Sequence, residues 1–418
     1  MTNTLQPAAP STSVVAALPA ACTTTDPAVL AAYSRDQASW APYGAPVALV
    51  RPTTAEEVQR TVRACYDHHV PVVARGAGTG LAGAANAVEG AVVICFEKMN
   101  RIKKIDTLER YAVVEPGVVN DDLRAACAAE GLWYPPDPAS SAWSTLGGNV
   151  ATNAGGLCCV KYGVTRDYVL ALDIVTGTGE HTTVGRKTAK GVTGYDLVGL
   201  LTGSEGTLAL VTEITVRLRP LPAPPSTIVG SFDSTVHAGN AVRAIAHAGL
   251  TPSALELMDR SCLEAIDRWK RMDLSTDANV LLLARTDNPG DGSTDEADAI
   301  VQCFTDSGAT WRRDRATPTR RKHCSLPANW PTRRSNAWQC PHRRRMCPER
   351  STARHARRSR ADRPPQRHLR RDHRARRRRK FAPTHRHHPR RRRPGNTRPA
   401  CVRGDHGCRT RPGRHDHR

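Results

Sequence analysis

The chain has 418 residues and a formal net charge of +22, long enough for two or three domains, each with its own core. The charge is uneven: residues 1–310 hold 24 Lys+Arg against 33 Asp+Glu, whereas residues 311–418 hold 37 against 6. A polyanion partner inferred from the total would therefore concern only the last quarter of the chain. No run of 18 apolar residues occurs, which excludes a membrane-spanning helix.

The first residues carry an apolar patch from 14 to 18 without a basic segment before it, and Leu18-Pro19-Ala20-Ala21-Cys22 has the look of a lipoprotein cleavage site. Residues 1–25 are set apart as an N-terminal extension. Thr53-Thr54-Ala55-Glu56-Glu57 predicts a helix start, with a hydroxyl cap and acids in the first turn. His68-His69 reads as the solvated end of that helix. A buried strand over 70–74 then runs into Arg75-Gly76-Ala77-Gly78-Thr79-Gly80-Leu81-Ala82-Gly83.

Gly78, Gly80 and Gly83 satisfy the G-x-G-x-x-G dinucleotide pattern. Only residues 84–90 separate this loop from the next strand, expected over 91–96, so there is no room for a Rossmann crossover helix. The glycines retain a purpose: they let the backbone approach a ligand closely, so that successive N–H groups converge on an anion such as a pyrophosphate, with Arg75 adding charge. A glycine-rich surface turn is the alternative.

A strand over 111–115 and a helix capped by Asn120 and closed at Gly131 come next. Tyr134-Pro135-Pro136-Asp137-Pro138 forms a rigid corner. Ser144-Thr145-Leu146-Gly147-Gly148-Asn149-Val150-Ala151-Thr152-Asn153-Ala154-Gly155-Gly156 is almost wholly small or amide-bearing. Such a segment is expected to lie flat along a planar ligand rather than build a core. Further glycine turns stand at Gly191-Val192-Thr193-Gly194 and Gly203-Ser204-Glu205-Gly206-Thr207. Residues 212–219 alternate, with Ile214, Val216 and Leu218 on one face, as in a half-buried strand. Prolines at 220, 222, 224 and 225 mark a boundary before a second α+β region. Eight of the 13 cysteines lie in the first 310 residues without a disulfide or metal-site spacing. A reducing, cytoplasmic location follows, either free or peripheral to the inner face of the membrane.

From Tyr33 to Pro220 these motifs, in this order, resemble the FAD-binding domain of the p-cresol methylhydroxylase or vanillyl-alcohol oxidase type. The branch is the one shared by the glycolate oxidase large subunit, D-lactate dehydrogenase and D-2-hydroxyglutarate dehydrogenase. The resemblance implies an α+β fold: an FAD-binding domain of two α+β subdomains over 26–220, a partial cap domain over 221–310, and a disordered basic tail over 311–418. The cap assignment rests on Thr251-Pro252-Ser253-Ala254-Leu255-Glu256-Leu257-Met258-Asp259.

The resemblance also implies site roles. Arg75, Gly76, Ala77, Gly78, Thr79, Gly80 and Leu81 would wrap the FAD pyrophosphate, and Pro136 and Asp137 would lie by the cofactor. Thr145, Gly147, Gly148, Asn149, Thr152, Asn153 and Gly155 would line the ribityl chain and flavin, with Glu205, Gly206 and Val211 completing the site. FAD is expected to bind non-covalently, and the implied substrate is a small 2-hydroxy acid such as glycolate, D-lactate or D-2-hydroxyglutarate. An electron acceptor or an iron-sulfur subunit is the implied partner. A flavin oxidase of an aryl or other alcohol is the enzymatic alternative, and a polyanion-binding protein with a vestigial flavin fold is the alternative from another class.

One departure stands out. The branch carries a His-Ala-Gly-Asp-Gly-Asn-x-His motif and a Gly-Glu-His-Gly motif that hold acid-base groups and commonly a divalent metal. Neither occurs here, so no catalytic residue and no metal ligand is assigned, and a metal is expected only in an in-frame homologue. Residues 311–418 instead hold Arg376-Arg377-Arg378-Arg379-Lys380 and eleven histidines with little apolar pattern. A nucleic-acid arm or a solvated tail would have such a composition. So would a displaced reading frame. Codons exist for residues 375–383 that, read one base later, give His-Ala-Gly-Asp-Gly-Asn-Ser-His-Pro. The same shift turns residues 414–418 into Gly-Thr-Ile-Thr-Gly, and a two-base shift turns 319–336 into an alanine-leucine-glutamate helix. Three matches in family order favour frame disruption, with slips near Thr310 and between Asn336 and Ala375, and argue against specific nucleic-acid binding.

Overall fold

The structure is a computed structural model that describes residues 12–188, 190–270 and 278–313. The basic tail beyond residue 313, with the disorder expected of it, lies outside the described residues, as do residues 1–11. What is described is three α+β layers in chain order.

The first is a four-stranded sheet of Thr23–Thr24, Ala48–Val50, Val92–Cys95 and Val72–Arg75, in that spatial order. Thr54 caps the helix Ala55–Asp67 as expected, its side chain accepting from the Glu57 N–H at 3.3 Å. The helix buries Val58, Val62 and Cys65 against the sheet. Val14 and Leu18, from the segment set apart as an extension, are buried in the same core. Thr23 and Thr24 pair with Val50 and Leu49. Val72–Arg75 and Val92–Cys95 are parallel neighbours although no helix joins them. The whole glycine-rich loop makes the crossover, so the Rossmann reading fails for want of a helix while the strand pairing stays parallel.

The second layer is a five-stranded antiparallel sheet in the order Ile102–Asp106, Tyr111–Val114, Ala209–Arg217, Val169–Thr176, His181–Gly185. The strand expected over 212–219 begins at Ala209, and it is central rather than half-buried. Ile214 pairs with Val114 on one side and Leu172 on the other, and Thr212 and Thr215 are buried along with Ile214 and Val216. Val119, not Asn120, stands at the N-cap position of the helix Asn120–Ala129 and gives it no side-chain cap; Asn120 is its first residue, and neither amide atom of its buried side chain finds a hydrogen bond. Gly131 follows the helix at φ +70° as its sequence position predicts.

The third layer is the segment expected to be a partial cap. Strands Ala254–Asp259, Val280–Thr286, Ser226–Phe232 and Trp311–Arg313 form an antiparallel sheet in that order, the pattern of a split β-α-β-β-α-β unit. Helices Thr235–His247 and Gly292–Asp306 cover one face through Ala238, Ile245, Ile300 and Phe304. Phe304 meets Phe232 edge-on at 5.7 Å. Its four strands pair with one another and share this core.

Candidate functional site

The first two layers meet around a cavity of about 450 Å³, within the range of small-molecule sites. Three segments converge on it. Arg75 ends a strand, and residues 76–82 turn out of the sheet with Gly78 at φ +70°. A side chain at Gly78 would strike the Arg75 guanidinium. Thus Gly78 is required beneath a buried arginine, which is a different reason from the ligand contact expected of it. Arg75 itself is 8% exposed; its Nη1 donates to the Arg35 carbonyl at 3.0 Å, and burial pulls its pKa down, partly offset by nearby acidic groups including Asp36.

The second segment is where sequence reading missed a helix. Leu146–Thr152 is helical, capped by Thr145, whose hydroxyl accepts from Gly148 N–H, and ended by Asn153 at φ 48°. Leu146 and Val150, the two aliphatic residues spaced by four, anchor one face in the core. Gly147 and Gly148 weakened the helical signal, and Gly147 has no room for a side chain: a Cβ on it would stand 2.6 Å from Pro116 Cβ. The third segment is the turn at Ser204, Glu205 and Gly206, left-handed at the last two, where a Cβ on Gly206 would stand 3.1 Å from Ala74 Cβ.

Arg75, Gly76, Ala77, Gly78, Thr79, Gly80, Leu81, Thr145, Gly147, Gly148, Asn149, Thr152, Glu205, Gly206 and Val211 all line the cavity. Pro136, Asp137, Asn153 and Gly155 do not. Asn153 Oδ1 instead accepts from Arg166 N–H at 2.9 Å. Asp137 accepts from both the backbone N–H and the thiol of Cys158, each at 3.1 Å. Burial raises the Asp137 pKa against those hydrogen bonds, and burial followed by the Asp137 charge raises that of Glu256 across the cap boundary. Asp36, Phe96, Pro116 and Ser140 line the cavity without having been expected. None lies in a glycine motif, and only the fold brings them there.

The cap is fastened beside this region. Lys161 Nζ donates to Asp287 Oδ1 at 2.6 Å and Asn288 Oδ1 at 3.0 Å, and the Tyr162 hydroxyl donates to Asp287 Oδ2 at 2.5 Å. His68 and His69 are elsewhere: His68 Nδ1 is 3.2 Å from Ser13 Oγ, and His69 lines a second groove of about 510 Å³ behind the turn. That groove is the larger, but the convergent polar and glycine-built wall belongs to the first. Among the described residues no group of His, Cys, Asp or Glu is placed to hold a metal. No helix among them is long and apolar enough to cross a membrane.

The cavity passes a test for a long, partly anionic ligand. Its wall is backbone-rich, a glycine loop and a helix N-terminus face it, and Asn149 Nδ2 is buried on it without an acceptor. These features define a cleft between two α+β sheets suited to a long, partly anionic ligand. Residues 46–185 match the FAD binding domain family, and residues 221–347 match the C-terminal domain of FAD linked oxidases. The chain thus carries, in this order, matches to the two domains of FAD-linked oxidases. It is 42% identical over 244 residues to the glycolate oxidase subunit GlcD of Bacillus subtilis, covering 58% of this chain and 52% of that protein. It is 42% identical over 215 residues to the D-2-hydroxyglutarate dehydrogenase of Stutzerimonas stutzeri, covering 50% and 46%. To the D-lactate dehydrogenase of Archaeoglobus fulgidus it is 39% identical over 266 residues, covering 62% and 57%. The chain thus spans about half the length of these relatives. The fold is that of p-cresol methylhydroxylase, with a TM-score of 0.65 at 18% identity, covering 78% of this chain and 71% of that one.

Proposed function

We propose that this chain binds FAD non-covalently in the 450 Å³ cavity and is the flavin-holding part of an oxidoreductase for a small 2-hydroxy acid. The convergence of the glycine loop, the helix Leu146–Thr152 and the turn at 204–206 on one cavity carries this reading. The N–H groups of residues 76–80, with Arg75 behind them, would hold the pyrophosphate. Asn149 and the small residues of the helix would face the rest of the cofactor, which when bound supplies the hydride acceptor. Non-covalent attachment is supported by the position of His68 and His69 away from this cavity.

The names of the relatives support a hydroxy-acid donor, and the word subunit in one of them supports a partner that takes the electrons. Asp137 and Asn153 are engaged by Cys158 and Arg166 outside the cavity wall, so any cofactor role of theirs would be indirect. The chain is impaired in turnover, because the histidine motifs of the branch are absent from it. The purified protein, reconstituted with excess FAD, should show flavin absorbance that acid releases as free FAD. Colourless protein, or flavin that stays with the acid precipitate, would overturn the assignment.

A further inference from the structure

The strongest unexplained feature of the cavity is Asp36. The residue is 9% exposed and lines the cavity, and its Oδ2 is sealed from solvent without a hydrogen-bond partner. Its setting is rigid. Asp36 N–H donates to Asn86 Oδ1 at 2.7 Å, Ala38 N–H donates to Asp36 Oδ1 at 2.8 Å, and Gln37 N–H donates to the Gly80 carbonyl at 3.1 Å. Asn86 in turn donates to the carbonyls of Ala41 and Pro42. One carboxylate oxygen is therefore used to fix the loop, and the other is held against the glycine turn: a Cβ on Gly80 would stand 3.3 Å from Oδ2. Arg75 is near enough to feel the charge but spends its Nη1 on Arg35 and stacks 5.5 Å from the Tyr33 ring.

A buried acceptor left unmet is costly, and sites retain such groups where a ligand meets them. The cavity presents two: the Asp36 acceptor beside the glycine loop, and the Asn149 donor on the helix, 3% exposed. An anion alone would satisfy the loop N–H groups and Asn149 but would set like charges together at Asp36. A ligand with a hydroxyl or amine donor next to its phosphates satisfies both.

We infer that Asp36 Oδ2 accepts a hydrogen bond from a hydroxyl or amine of the bound dinucleotide, making it a binding residue of the site. This rests on the FAD reading above. Asp36→Asn keeps an oxygen for the Ala38 N–H while turning the free acceptor into a donor. Its dissociation constant for FAD, from quenching of flavin fluorescence, should rise about tenfold or more over that of the wild type. The melting temperature of the flavin-free protein should not fall. An unchanged constant overturns the inference, as does a flavin-free protein that melts earlier in step with its weaker binding, since Asp36 would then be only a brace. A wild type that takes up no FAD overturns the flavin reading itself. Titration with FMN locates the donor: an effect confined to FAD places it on the AMP half, and an effect shared with FMN places it on the ribityl chain.

Discussion

Gly78 illustrates how a single residue is constrained twice. Its φ of +70° disfavours any side chain, and the space a Cβ would take is held by the Arg75 guanidinium. Gly78→Val should displace Arg75 from under the loop and abolish FAD uptake, read as loss of the visible flavin spectrum after reconstitution. Retained uptake would show that the loop tolerates another path. Glu256 makes a different residue-scale case. Its folded pKa is raised by burial first and the Asp137 charge second. An acid so shifted contributes most stability below its unfolded pKa, and that contribution is lost as pH rises through the folded value. Glu256→Gln should therefore melt higher than the wild type at pH 7, with the gap closing as pH falls into the ordinary carboxylate range. A gap independent of pH would assign the effect to packing.

At the scale of elements, the short helix Leu146–Thr152 depends on its ends. Thr145 caps it and Asn153 closes it in a left-handed conformation. Thr145→Ala should cost about 1 kcal/mol of stability by chemical denaturation. It should also weaken FAD binding, because the helix carries Asn149 into the cavity. An equal loss of stability with unaltered binding would separate the cap from the site. The cap module is fastened through Lys161, Tyr162 and Asp287, and Asp287 is 7% exposed. Asp287→Ala leaves the Tyr162 hydroxyl without its acceptor and Lys161 with Asn288 alone. A loss of about 1–3 kcal/mol should appear as faster hydrogen exchange across the cap strands Val280–Thr286 and Ser226–Phe232, while the five-stranded sheet keeps its protection. Uniform change in both would mean that the two layers unfold as one.

At the scale of the whole molecule, residues 46–185 match an FAD binding domain, residues 221–347 match the C-terminal domain of FAD linked oxidases, and the composition of the last quarter breaks with the rest. Because the branch's histidine motifs are missing, turnover of glycolate, D-lactate or D-2-hydroxyglutarate should fall by at least the 10²–10⁴-fold that losing one proton acceptor typically costs. Dye reduction by the purified chain measures it. A gene restored to one frame should recover activity, and resequencing that confirms the present frame near codons 310 and 336–375 would remove the frame argument. Nucleic acid bound through a +31 segment should be released steeply by added salt, and binding that persists at physiological salt for one sequence would revive the binding-arm alternative.

The sequence by itself determined the order of the glycine segments, the absence of a crossover helix after Gly83 and the capped helix at Thr54. Each depends on local chemistry: backbone freedom at glycine, capping by a hydroxyl, chain length between strands. Most of the cavity wall was legible for the same reason, since glycine loops announce where backbone must meet a ligand. Tertiary structure decided the rest. Leu146–Thr152 is a helix because Leu146 and Val150 bury in a core supplied by distant strands, outweighing the low helical propensity of two glycines. Asp137 and Asn153 turn to Cys158 and Arg166, partners with no sequence signature. Asp36 joins the wall because Asn86, fifty residues away, holds its backbone. Long-range contacts of this kind leave no local pattern, because the residues that create them are set by the packing of the sheets rather than by their neighbours in the chain.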